Sequence, residues 1–150
     1  MISRSFISTI ALVATLLSLS ATSATAQQTS VDATLIFASS QGEGIDPALR
    51  SYERNLKRLF KYSSYQLQGK SRTRLSIPGT ASMSLGNGHR VELEAQESSG
   101  SKIRLNVKWL NARRMLFNTT FNKNKGDPIL LGGPSAPSQN GNLILVIVPR

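Results

Sequence analysis

His89 is the only histidine in the chain and there is no cysteine, so thiolate and multi-histidine metal centres have no ligands to draw on. A serine nucleophile would need His89 as its base. His89 falls in the turn "GNGHR", where a solvent-exposed turn residue is expected. The oxygen-bearing stretches "DATL", "GEGID" and "NKGDP" lack calcium-loop spacing. Glu92 and Glu94 stand two apart and share one face of a strand, as paired glycosidase carboxylates could. Their parity is opposite to that of Val91 and Leu93, which points both at water. Glu43, Asp46 and Asp127, near loops, are the remaining acids from which a secreted hydrolase could be built. No cofactor, metal or catalytic residue is expected, and hydrolysis is the minority reading.

The positive signal is basic. Residues 50 to 74 hold Arg50, Arg54, Lys57, Arg58, Lys61, Lys70, Arg72 and Arg74 against a single acid, Glu53. Placed at about 100° per residue, Arg50, Arg54, Lys57, Arg58 and Lys61 fill one arc of a helix. Leu49, Tyr52, Leu56, Leu59 and Phe60 fill the opposite arc. One face is thereby assigned to a core and the other to positive charge. A membrane-surface helix would keep its apolar stripe free, whereas here the neighbouring strands need it. The eight cations form the candidate docking surface, and its bland alternative is a merely solvated helix face. The expected partner is an acidic protein or an anionic polymer. Nucleic acid is disfavoured: Tyr52, Tyr65 and Trp109 belong to inner faces, Tyr62 alone is left as a stacking platform, and no recognition motif is present.

The elements that must carry these residues follow from periodicity. "VDATLIFAS" (31–39) reads as a strand with Val31, Ala33, Leu35 and Phe37 on one face. Asp46-Pro47 then starts a helix running to about residue 61, with aspartate at the cap and proline at the first position. The period changes to two in "SYQLQGKSRTRLSI", with Tyr65, Leu67, Thr73, Leu75 and Ile77 on one side unless Gly69 introduces a bulge. "TASMSLGNGHRVELEAQES" predicts a hairpin, and "KIRLNVKW" alternates with Ile103, Leu105, Val107 and Trp109 inward. "MLFNTTF", "PILL" and "NLILVIV" complete about eight strands. The last is either central or an edge open to pairing. "GGPSAPSQNGN" (132–142) is a loop rich in turn residues. The predicted fold is mainly β: a β-sandwich or partly open barrel with one amphipathic helix packed on it.

Residues 1–26 read as a cleaved secretory signal: Arg4 in a short n-region, an apolar stretch too short and too broken by Ser and Thr to span a bilayer, and Ala24-Thr25-Ala26 as the cleavage site. Residues 27–150 then form one β-rich domain of 124 residues carrying 17 basic and 8 acidic side chains. No later segment is apolar enough to span a membrane as a helix. Export without disulfides points to a bacterial periplasm or exterior.

In their order "LIFAS", "GIDPAL", "LFKYSSYQL", "LGNGHRVELE", "IRLNVKW" and "GDPILLGGP…GNLILVIV", these motifs resemble small exported bacterial envelope proteins of unknown function, in which a strand and a helix precede a run of hairpins. The resemblance implies an envelope or periplasmic β-rich domain and carries no catalytic residues. The "LLGGP…GNLILVI" ending is superficially similar to the closing strands of outer-membrane secretin channels; the rest of a secretin is missing, so pore formation is not implied. The reading as a whole is an exported, non-enzymatic binding or assembly module. Its alternatives are a secreted hydrolase and an extracellular nucleic-acid binder.

Overall fold

The computed structural model describes residues 26–136 and 139–150. The expected signal segment, up to Thr25, lies outside the described residues. Nine strands and one helical segment follow: β1 (Gln27–Ser39), β2 (Gly44–Ile45), a 3₁₀ segment (Pro47–Tyr52) continuing as α1 (Glu53–Leu59), β3 (Ser64–Ile77), β4 (Gly79–Gly86), β5 (His89–Ser99), β6 (Lys102–Asn111), β7 (Arg114–Asn124), β8 (Ile129–Ser135) and β9 (Gly141–Pro149). They form a five-stranded sheet in the order β2-β3-β1-β9-β8 and a four-stranded sheet in the order β4-β5-β6-β7. The mainly β architecture with one packed helix is the one that the period-two segments predict. No closed barrel forms.

β1 is buried along nearly its whole length because both of its faces are covered. Val31, Ala33 and Leu35 enter the core between the sheets, where they meet Leu75, Val91, Leu93, Leu105, Val107 and Trp109. Ile36 and Ala38 point the other way, beneath the helix with Leu49, Tyr52, Leu56, Tyr65, Ile144 and Val146. The apolar run of β9 has the same cause. It lies between β1 and β8, so "NLILVIV" is a central strand and not an edge.

The parity expected for β3 holds only in halves. Leu35 pairs with Gly69 but Ile36 with Leu67, so Gln68 is an extra residue and the strand bulges there. Tyr65 and Leu67 therefore face the helix, while Leu75 and Ile77 face the inter-sheet core. Gly69 is needed at this bend, since a Cβ would overlap the Leu85 carbonyl of β4. The hairpin and β6 follow expectation. Ala81 pairs with Leu93 and Met83 with Val91 across a turn with Asn87 and Gly88 at positive φ, and Ile103, Leu105, Val107 and Trp109 are all buried.

Candidate functional site

The Asp46 carboxylate accepts the Ala48 amide at 2.9 Å, and Pro47 fills the first helical position, so the segment begins where the sequence places it. Its first turn and a half is 3₁₀, and α1 ends at Leu59, two residues short of expectation. The stop has a visible cause. Phe60 is extended, and the Tyr65 hydroxyl donates to the Phe60 carbonyl at 2.8 Å, satisfying an oxygen that a further turn would have used, and lies 3.3 Å from the Leu56 carbonyl, which already accepts the Phe60 amide. Leu49, Tyr52 and Leu56 are buried as the stripe requires, but Leu59 is 53% exposed.

Arg50, Arg54, Lys57 and Arg58 are exposed on the opposite face, whereas Lys61, which the sequence assigns to the helix, is exposed just beyond its end because the chain is already extended at Phe60. Lys57 is paired with Glu53 one turn earlier, Nζ to Oε1 at 2.6 Å, and this neighbour draws the Glu53 carboxyl below its usual range. Arg58 reaches only the Asn55 side-chain oxygen, at 3.4 Å. Among the described residues Arg50, Arg54 and Lys61 have no carboxylate within ion-pair distance.

Lys70, Arg72 and Arg74 pair with Thr34, Asp32 and Ser30 of β1, which puts them on the helix-bearing face of the sheet. Lys70 and Arg74 are exposed and unpaired there. Arg72 has a different role. Its Nη2 donates to Asp32 Oδ2 at 2.9 Å, its Nε donates to Oδ1, and Arg150 Nε reaches the same carboxylate at 2.7 Å. Asp32 is 2% exposed and would be costly to bury unpaired. Hydrogen bonding from Arg72 lowers its pKa most, burial opposes this, and Arg150 adds to the lowering; the result is a value of about 2. Arg72 thus helps neutralise a buried acid, and since Arg150 shares that carboxylate the three side chains together keep one positive charge of the two. Neither Asp32 nor Arg150 stood out in the sequence; the visible trace is that Asp32 is the one charged residue of its strand.

His89 departs from expectation. It is 5% exposed, because the hairpin turn tucks it onto the core rather than into water. Its Nδ1 lies 3.1 Å from the Trp109 indole Nε1, which can only donate, so Nδ1 is unprotonated and Nε2 carries the hydrogen. The Asn111 amide stands 3.3 Å from Nε2. Burial lowers the imidazole pKa, and no nucleophile is hydrogen-bonded to it.

The acids considered for hydrolysis do not converge. Glu43 and Asp46 line a shallow cleft of about 260 Å³, where Asp46 is occupied as the helix cap. Glu92 and Glu94 line a cleft of about 380 Å³ on the outer face of the four-stranded sheet, with Glu92 paired to Arg90 at 3.1 Å. Asp127 lies elsewhere, beside the end of α1. Among the described residues no group of three or more metal-ligating side chains is found, and no helix is long and apolar enough to cross a membrane. Tyr62 packs edge-on against Tyr65, ring centroids 6.4 Å apart, and is half-buried.

What the arrangement offers is a helix anchored by buried apolar side chains, with an exposed cationic surface. Comparison with protein-family models, curated proteins and solved structures returns no match for the chain.

Proposed function

We propose that the protein is an exported, non-enzymatic binding or assembly module of the bacterial envelope, which docks an acidic protein or anionic polymer on the outer face of α1. The observation that carries this reading is the division of the helix: Leu49, Tyr52 and Leu56 are fixed in the core, while four cations and one acid face solvent, with Lys61 just beyond the helix end. Lys70 and Arg74 extend the surface along β3. The docking residues reduce to Arg50, Arg54, Arg58, Lys61, Lys70 and Arg74, with Lys57 partly offset by Glu53 and Arg72 by Asp32. Attraction between exposed charges is screened within about 8 Å at physiological salt, so the docking is strongly salt-dependent.

The test is retention on immobilised polyglutamate and on DNA across a salt gradient, for the wild type and the triple variant Arg54→Gln, Arg58→Gln, Lys61→Gln. Earlier elution of the variant from polyglutamate is expected. Identical elution of the two proteins would discard the helix face. Stronger retention on DNA than on polyglutamate would favour the nucleic-acid alternative. Cell fractionation with residues 1–26 present and deleted tests export.

A further inference from the structure

The two sheets are joined closely on one side and left apart on the other. On the first side the chain passes from β3 into β4, and their backbones touch at Gly69 and Leu85. On the second side the edge strands β7 and β8 scarcely meet. β7 is hydrogen-bonded to β6 alone, and among the described residues no other backbone bond reaches residues 115–123. An edge strand of this kind presents a row of free amides and carbonyls to any chain that can lie beside it.

Edges are commonly protected by charge or proline along the strand. β7 has neither in "MLFNTTFN" (115–122); its cations stand at the two ends, Arg113 and Arg114 before the run, Lys123 and Lys125 after it. Its one irregularity is a bulge at Leu116, beyond which Phe117 to Asn124 pair regularly. The bulge turns Met115 outward. Met115 and Leu59, 51% and 53% exposed, are the large apolar side chains most open to solvent among the described residues. Each lines a cleft on the β7–β8 side. The cleft near the start of β7, about 480 Å³, has Arg114, Met115, Leu116 and Leu143 in its wall. The one near its end, about 540 Å³, has Arg58, Leu59, Phe121, Lys123 and Ile129, with Asp127 as its only acid.

We propose that β7 receives an extended segment of a partner protein as an added strand, neutral and apolar in the middle and carrying carboxylates at both ends. The backbone ladder supplies affinity, the two clefts take side chains, and Arg114 and Lys123 pair with the flanking acids. At about 3.3 Å per residue the eleven residues of β7 set those acids roughly 30 Å apart. A second copy of the chain is a poor occupant. Antiparallel β7 strands would set Arg113 and Arg114 against Lys123 and Lys125, and parallel ones would set like ends together. The surface is distinct from the outer helix face and touches it only at Arg58.

The probe is a blocked synthetic peptide of the length of β7, with two glutamates at each end and alternating valine and threonine between. Saturable binding, measured by anisotropy of a labelled peptide, is expected. Replacing its glutamates with lysine should weaken it by about tenfold, the combined effect of several exposed ion pairs. The double variant Arg114→Glu, Lys123→Glu, both exposed sites, should reverse that preference. N-methylation of alternate residues keeps every charge and, in the phase whose amides face β7, bars ladder formation, so with both phases tested loss of binding in at least one is expected. Undiminished binding of both methylated peptides, or no binding of the parent, overturns the proposal. The helix variant Arg54→Gln, Lys61→Gln leaves both clefts intact and should bind the peptide as the wild type does, so failure of helix docking and failure of strand addition are read separately.

Discussion

Arg72 of β3 grips the buried carboxylate of Asp32, its cross-strand partner in β1, with two of its guanidinium nitrogens. The pair divides the cations of residues 50–74 into two kinds. Arg54 stands free in solvent, whereas Arg72 completes the packing of the sheet. Removing one partner of a buried pair strands the other charge.

Arg72→Gln should lower the urea midpoint measurably, though less than loss of a wholly buried pair, because Arg150 still holds Asp32. Arg54→Gln should change stability by under about 0.5 kcal/mol. Urea unfolding midpoints of the two variants check the contrast; equal midpoints would show that Arg72 is another surface cation.

Acid sensitivity should follow the same carboxylate. The folded protein holds Asp32 at about 2 against an ordinary 3.8, so the unfolded chain binds this proton more readily. The stabilisation is complete above pH 3.8 and drains away as the pH falls through about 2. Its size from the shift is about 2 kcal/mol. Asp32→Asn should be less stable at neutral pH and should flatten that part of the profile, as followed by Trp109 fluorescence.

Glu53 lies within the basic face and offsets Lys57. Glu53→Gln should therefore strengthen retention on polyglutamate by about two- to fivefold at low salt and by little at high salt. Weaker retention would show that the ion pair organises the face.

Gly69→Ala places a methyl group into the Leu85 carbonyl, and neither backbone can yield without parting β3 from β4. A loss of about 2 kcal/mol or more is expected in chemical denaturation. A neutral result would mean that the two strands separate freely at this point.

The helix start, the hairpin and the inward set of β6 were legible because each depends on local rules: a proline after an aspartate, an Asn-Gly turn, strict alternation. Errors arose where a distant residue decides the outcome. Gln68 reverses the parity of β3, which only pairing with β1 reveals. His89 sits in a turn by sequence, but Trp109, twenty residues away, draws it into the core. Arg72 reads like its basic neighbours until Asp32, forty residues earlier, is placed beside it. Seven of the eight candidate cations lie on the helical segment or on the sheet face that bears it, with Lys61 in the connection between them, yet the separate role of Arg72 depends on a long-range partner.

β1 hydrogen-bonds to β3 on one side and β9 on the other, and Asp32 stands opposite Val148. During synthesis β1 emerges long before residues 141–149 and must wait with half of its ladder unfilled. The five-stranded sheet can close only when β9 has arrived, so premature knitting is discouraged by strand order alone.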